Sequence, residues 1–431
     1  MKYYSLNKQS PSVDFREATL RGQAPDKGLY FPERIPQHST SFIQQLRNFS
    51  KEEIAFHVME PFVGDAIPKN VLQEIVTETI AFPFPLHTIH EDIASLELYH
   101  GPTFAFKDVG ARFMSRCLSY FSSNANTVTT ILVATSGDTG GAVANGFLGV
   151  EGIEVVILYP SGKVSPVQEL QLTTCGSNIT ALEIEGSFDD CQALVKEAFM
   201  DADITASMNL SSANSINVAR WLSQQIYYFL AHQQWAYDKP PVIAVPSGNF
   251  GNLCAGIMAH KTGLPVQYFI AACNVNDTVP AYLRTRDYQV KPSVSTLSNA
   301  MDVGNPSNFI RIMELMNQDY DALQRMVSGY TITDEVTLET IQKVYQQYGY
   351  LLDPHGAVAY AALTQYQQEH KNGRGYILET AHPVKFPDAV KTATGQEAPI
   401  PPAAMELFGK QKRSIPMQKE YASFKEYLLS R

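Results

Sequence analysis

The stretch VIAVPSGNFGN, Val242–Asn252, decides the fold. Val242–Val245 is a short apolar, largely β-branched run, which reads as a buried strand. Pro246, Ser247 and Gly248 break the run, and a helical pattern opens at Gly251. The same grammar recurs three times. Val128–Ala134 passes into TSGDTG (Thr135–Gly140), Glu154–Tyr159 into PSGK (Pro160–Lys163), and Tyr376–Leu378 into ETAHP (Glu379–Pro383). Strands that alternate with helices imply mostly parallel sheets with helices on both faces. Open α/β sheets bind ligands beyond the carboxyl ends of their strands, and all four turns lie at such ends.

The 431 residues amount to two or three domains at roughly 100–200 residues each. Hydrophobic residues make up 45% and charged residues 18%, which excludes a disordered chain. Lys plus Arg is 33 against 43 Asp plus Glu, a net charge of −10, which opposes a role in neutralising nucleic-acid phosphates. The five cysteines form no CxxC pair, so a zinc ribbon or disulfide framework is disfavoured and a reducing, cytoplasmic compartment is expected. The opening MKYYSLNKQS has no apolar core of a signal peptide, and no run of about 18 apolar residues exists to span a membrane.

Three regions are expected. Residues 1–88 read as a helical N-terminal domain, with helical periodicity over Ser41–Phe49, Lys51–Met59 and Pro68–Ile80 before Pro83 and Pro85 break the chain. Residues 89–235 read as a smaller α/β domain, and residues 236–431 as a larger one that ends in a helical tail.

Several familiar chemistries lack their motif. There is no GxGxxG, no GxxxxGK[ST], no HExxH and no GxSxG. What remains is LYHGPTFAFKDVGARF (Leu98–Phe113), in which Lys107 lies among Phe104, Phe106 and Val109. Apolar surroundings disfavour the ammonium form, and a neutral lysine amine forms Schiff bases with carbonyls, pyridoxal phosphate among them. The same segment also reads as a surface lysine laying its stem over aromatic rings. The Gly-rich turns weigh against that alternative. PSGNFGN offers free backbone N–H groups at a helix start, an anion site suited to a cofactor phosphate, and TSGDTG offers a second, suited to a carboxylate. Asp108 reads as an ion-pair or loop partner rather than a base, His382 and Cys191 as structural, and Tyr227, Tyr228 and Phe229 as helix packing.

With these motifs in place, the sequence resembles the threonine synthase family of pyridoxal-phosphate enzymes, of the tryptophan-synthase-β-like fold (fold type II). The resemblance rests on HGPTFAFKDVGARF, TSGDTG, YPSGKVSPVQ (Tyr159–Gln168), GSFDDCQALVK (Gly186–Lys196), NSINVAR (Asn214–Arg220), VPSGNFGN, AMDVGNPSNF (Ala300–Phe309), DPHGAVA (Asp353–Ala359), ETAHPVKF (Glu379–Phe386) and, near the start, GLYFP (Gly28–Pro32). It implies a fold type II enzyme with two open, mostly parallel α/β domains and the helical N-terminal domain. The implied activity is a lyase reaction, conversion of O-phospho-L-homoserine and water into L-threonine and phosphate.

The resemblance also implies roles. Lys107 is the Schiff-base lysine. Gly248, Asn249, Phe250, Gly251 and Asn252 bind the cofactor phosphate, with the Asn249 side chain able to reach a ring or substrate group. Thr380 contacts the pyridine nitrogen. Ser136, Gly137, Asp138 and Thr139 face the substrate carboxylate, with Asp138 as an oddity because an acid repels that group; orienting the loop is its expected role. Asn214, Ser215 and Arg220, with Lys163, clamp the substrate phosphate. Other readings are a serine or threonine dehydratase of the same fold and a non-catalytic binding protein that kept it. No nucleic acid, membrane or metal is implied, and the chain is expected to be a monomer or homodimer.

Overall fold

The structure, a computed structural model, describes residues 1–122, 128–370 and 373–431. The chain forms two compact units, and each is built from separated stretches of sequence. One comprises Met1–Phe31, Lys107–Arg220 and Ile400–Arg431; the other comprises Pro32–Phe106 and Trp221–Pro399. This division departs from boundaries at 88 and 235. The first 31 residues pair and pack with the unit that begins at Lys107, whereas the helices that follow them belong to the other unit. A linear reading of turns and prolines does not register such crossings.

The first unit carries a five-stranded parallel sheet. Its strands run in the spatial order Ile415–Gln418, Ile179–Glu185, Ile153–Pro160, Thr129–Ala134 and Asn209–Ser212. The central strand, Ile153–Pro160, is buried at every position but Glu154, the near-continuous apolar run of a sheet covered on both faces. Lys107–Ser122 and Asp138–Phe147 are helices of this unit and pack on one another. The N-terminus is less helical than its composition implies. Lys2–Ser5, Val13–Asp14 and Tyr30–Pro32 form a small three-stranded sheet beside the helix Phe15–Arg21.

The second unit carries a six-stranded sheet in the order Val327–Thr331, Tyr268–Cys273, Val242–Pro246, Gly375–Glu379, Ile93–Glu97 and Leu86–His90. Leu86–His90 runs antiparallel to its neighbour; the other pairs are parallel. The helical periodicity read in the first 88 residues is realised here as Thr40–Gln44, Lys51–Val63 and Lys69–Thr79. Ser50 starts the middle helix with a capping box, its hydroxyl accepting from Glu53 N and the Glu53 carboxylate accepting from Ser50 N. The long helix Pro354–Glu369 is buried among Ala357, Val358, Ala361 and Leu363, which pack against Val242, Ala244 and Ile377 of the sheet. All four strand-to-turn transitions read from the sequence are strands with their turns at the carboxyl end.

Candidate active site

In the second unit, the strand Val242–Pro246 ends in the PSGNFGN turn, and a helix begins at Gly251. The first N–H groups of a helix have no partner within it. Phe250 stands in the left-handed region at φ 62°, unusual for a bulky side chain, and its ring is buried against Phe309. Gly248 is required by a close approach. A Cβ there would lie 2.6 Å from Met301 Cα and 3.0 Å from the Ala300 carbonyl oxygen, both backbone.

The turn is braced from two further directions. Asn252 Nδ2 donates to the Pro246 carbonyl at 2.8 Å, and the Tyr228 hydroxyl donates to the Asn252 carbonyl at 2.8 Å. Asn249 Oδ1 accepts from Ser307 N at 2.6 Å, and the Asn249 carbonyl accepts from Asn308 Nδ2 at 3.0 Å. Behind Asn308 lies Arg311, fully buried, donating to Asn308 Oδ1 at 2.6 Å and stacked 4.9 Å from the Trp221 ring. Burial pulls its guanidinium down to about 9. The AMDVGNPSNF block therefore braces the anion turn, and the Asn249 carboxamide oxygen is spent on that bracing.

The lysine segment is fixed against the other Gly-free turn of this unit. Ala105 bridges Ala381 in antiparallel fashion, Phe106 N donates to the Thr380 carbonyl at 2.9 Å, and His382 N donates to the Phe104 carbonyl at 3.0 Å. Phe104 is the second buried aromatic residue in the left-handed region, at φ 56°. Lys385, wholly buried, donates from Nζ to the Thr103 carbonyl at 3.0 Å. His382 is structural. Its Nδ1 accepts from Val384 N, and burial, aided by His100, lowers it to about 4. Lys107 follows Phe106 directly and is the first residue of its helix.

Next to Thr380, Glu379 ends its strand with its side chain fully buried. Burial, and then the adjacent Asp353 carboxylate, push the Glu379 carboxyl well above the usual range. Its Oε1 accepts from Asp353 N at 2.6 Å.

In the first unit, the strand Thr129–Ala134 ends in TSGDTG. Thr135 Oγ1 accepts from Gly137 N at 3.0 Å and Gly140 N at 2.8 Å, which folds the loop onto the helix start. Gly137 sits at φ 133°, where an L side chain is strained. Asp138 is buried at the first helical position, and its Oδ1 accepts from Gln168 Nε2 at 2.9 Å. Ser136 and Thr139 are half-buried beside it. The Asp138 carboxylate thus sits at a helix N-terminus, which favours negative charge, and is hydrogen-bonded by Gln168 of the YPSGKVSPVQ block.

Asn214 Nδ2 donates to the Ala134 carbonyl at 3.2 Å, which brings the half-buried Asn214–Ser215 turn to the start of TSGDTG. Lys163 is exposed in the turn after the neighbouring strand Ile153–Pro160. Arg220 is not an exposed fork. It is only 2% exposed, Nη1 donates to the Ala213 carbonyl at 2.6 Å, and burial lowers it to about 10 against the opposing pull of Asp108. Asp108 is itself buried, and its charge favours the protonated form of Arg220.

Residues 78–378 match the family of pyridoxal-phosphate dependent enzymes, residues 2–80 the threonine synthase N terminus, and residues 356–428 the threonine synthase C-terminal region. The threonine synthase of Escherichia coli is 40% identical over 432 residues, covering 100% of both chains, and that of Haemophilus influenzae is 42% identical over 431 residues with the same coverage. This chain belongs to the threonine synthase family. Among solved structures, E. coli threonine synthase superposes with a TM-score of 0.93, covering 100% of both chains at 40% identity. The pyridoxal-phosphate-bound threonine synthase of Brucella melitensis superposes with a TM-score of 0.91, covering 99% of this chain and 98% of that one at 37% identity. A tomato threonine deaminase, at 13% identity and a TM-score of 0.58, shares the fold alone.

The cofactor of this threonine synthase family member is pyridoxal phosphate, and the residues present fit it. A helix start with a turn that tolerates no Cβ at Gly248 suits a phosphate, and the Thr380 turn is hydrogen-bonded to the segment that carries Lys107. Sequence reasoning missed the residues that hold these groups in place: Arg311, Lys385, Glu379 and Asp353. Asp353 lies in DPHGAVA, Glu379 and Lys385 lie in ETAHPVKF, and Arg311 stands two residues beyond AMDVGNPSNF, yet nothing in a linear reading says that an Arg or Lys is buried.

Proposed function

We infer that this chain converts O-phospho-L-homoserine and water into L-threonine and phosphate. The observation that carries the reading is the match to threonine synthases along the whole chain, N-terminal and C-terminal regions included, against a dehydratase likeness confined to the fold. Pyridoxal phosphate, when bound, supplies an electron sink for negative charge developing on substrate carbon. The chain's own residues do the rest. The Lys107 amine would hold the cofactor through its aldehyde, and the same amine would be the group to move protons at the substrate's Cα and Cβ.

The N–H groups of Gly248–Asn252 hold the cofactor phosphate, and the Thr380 hydroxyl meets the ring nitrogen. A neutral hydroxyl there stabilises a protonated ring less than a carboxylate would. The backbone of Ser136–Thr139 binds the substrate carboxylate, with Asp138 orienting the loop through Gln168. Asn214 and Ser215, with Lys163, take the substrate phosphate, where donors stabilise the charge of the leaving group. Arg220 serves that site by holding the Ala213 carbonyl next to Asn214.

The five thiols suit a reducing cytoplasm, and no helix among the described residues is long and apolar enough to cross a membrane. The test is a substrate panel of O-phospho-L-homoserine, L-serine and L-threonine. Release of phosphate together with L-threonine from the first supports the reading. Oxo-acid formation from serine or threonine, with the phospho-substrate untouched, overturns it.

A further inference from the structure

Asp353 caps the helix Pro354–Glu369, its Oδ1 accepting from Gly356 N at 2.7 Å. Its Oδ2 lies 2.5 Å from His355 Nδ1, and both side chains are buried. The other ring nitrogen, Nε2, accepts the N–H of Ala300 at 3.2 Å. An acceptor at Nε2 requires a lone pair there, so the ring proton sits on Nδ1 and donates to Asp353. Ala300 and Met301 are the backbone that closes over Gly248. The same loop is anchored on its other side by Asp302, whose Oδ1 accepts from Asn274 Nδ2 at 2.9 Å and Thr296 Oγ1 at 2.7 Å.

We propose that His355, with its tautomer set by Asp353, is a positioning residue that presses Ala300 and Met301 onto Gly248 and so shapes the cradle for the cofactor's phosphate. The proposal rests on the reading of Gly248–Asn252 as that cradle. His355 touches neither cofactor nor substrate in this assignment; it acts through the Ala300 amide. The clasp is discriminating because it depends on one ring nitrogen. Any change that moves the proton to Nε2 turns an acceptor into a donor facing a donor.

Two nearly isosteric variants test this, and one rescue. His355→Asn places an amide where Nδ1 was, keeps the contact with Asp353 and cannot reach Ala300. Asp353→Asn keeps the volume but cannot accept from both Gly356 and His355. His355→Gln reaches the Nε2 position with an oxygen that accepts. The readout is binding of pyridoxal phosphate and of pyridoxal, which lacks the phosphate, to the full chain stripped of cofactor. A buried hydrogen bond is worth about a tenfold change in an equilibrium constant.

His355→Asn and Asp353→Asn should each weaken pyridoxal phosphate about tenfold while pyridoxal binding stays within about twofold, and His355→Gln should recover most of the loss. Equal weakening of both ligands, or of neither, overturns the proposal. A wild-type chain with no preference for pyridoxal phosphate over pyridoxal overturns the cradle reading itself, and the two failures are thereby told apart.

Discussion

The amide of Phe106 donates to the carbonyl of Thr380 at 2.9 Å. This bond joins the residue before Lys107 to the residue assigned to the pyridine nitrogen, so Phe106 and Thr380 share one backbone frame. Because the frame is main chain to main chain, the lysine side chain can be removed without disturbing it. Lys107→Ala should keep the fold, by circular dichroism, and lose both turnover and the absorbance band of lysine-bound cofactor. A variant that still yields a borohydride-reducible lysine adduct at this position and turns over normally would show that another residue holds the aldehyde.

Thr380→Val keeps the shape and the carbonyl that Phe106 needs while removing the hydroxyl. A neutral hydrogen bond contributes about 0.5–1.5 kcal/mol, so cofactor affinity or rate should fall by roughly 2- to 12-fold. Cofactor titration and the spectrum of the bound form check it. If affinity, spectrum and rate all match the wild type, Thr380 does not contact the ring nitrogen.

The strand-turn-helix repeats were legible because each signal is local. An apolar run, a Gly-Ser-Asn turn and a helical pattern lie within a dozen residues at Val242–Asn252 and at Val128–Gly140, and the structure has strands and turns at both. The cofactor was legible for the same reason, since Lys107 among aromatics and a Gly-rich turn are each contiguous. Two features were not. The chain crosses between units at Phe31/Pro32, Phe106/Lys107, Arg220/Trp221 and Pro399/Ile400, and no composition change marks those points. Arg220 reads as part of a phosphate clamp and Arg311 draws no reading, yet both are buried, held to the carbonyl of Ala213 and the carboxamide of Asn308 by loop geometry that sequence spacing does not predict.

Arg220→Ala removes a buried guanidinium whose charge acts on the buried Asp108 carboxylate. Loss of one partner in a buried charged pair costs about 3–5 kcal/mol, so the variant should unfold at visibly lower temperature. The proposal that Arg220 sets the Asn214–Ser215 turn predicts a second, separable effect. Turnover of O-phospho-L-homoserine by the folded fraction should fall roughly 10²-fold, the scale of losing a charge-stabilising donor, while affinity for pyridoxal phosphate stays near wild type. If kcat/KM for O-phospho-L-homoserine falls no more than binding of an unphosphorylated amino acid does, Arg220 supports the fold alone.

Gly356 and Glu379 are in closer contact than any side chain allows. A Cβ on Gly356 would lie 1.5 Å from Glu379 Oε2. Gly356→Ala must therefore displace a buried acid whose other oxygen accepts from Asp353 N. Overpacking of this kind costs about 1–3 kcal/mol. The double variant with Glu379→Ala should lose less stability than the two single changes summed, because the clash and the carboxyl disappear together. Strict additivity in thermal or denaturant unfolding would show that the carboxyl moves aside at no cost.

Glu183 ties the C-terminal strand into the first unit. Its carboxylate lies 2.8 Å from Lys412 Nζ and accepts from Ser161 Oγ at 2.7 Å and Ser414 Oγ at 2.9 Å, beside the pairing of Ile415–Gln418 with Leu182–Glu185. Burial pushes the carboxyl up, but Lys412 and the two hydroxyls outweigh it and hold Glu183 at about 2. A carboxyl with a depressed folded-state pKa lends stability that is present above its unfolded value, 4.5, and is lost as pH falls through about 2. Solvent reaches Lys412, so the contribution should be about 1 kcal/mol rather than the full Coulombic value. Glu183→Gln should therefore melt lower than wild type at pH 7, and the gap should close between pH 4.5 and pH 2. A gap that stays constant across that window would mean that the variant loses packing or a neutral hydrogen bond, and that the ion pair with Lys412 carries no stability.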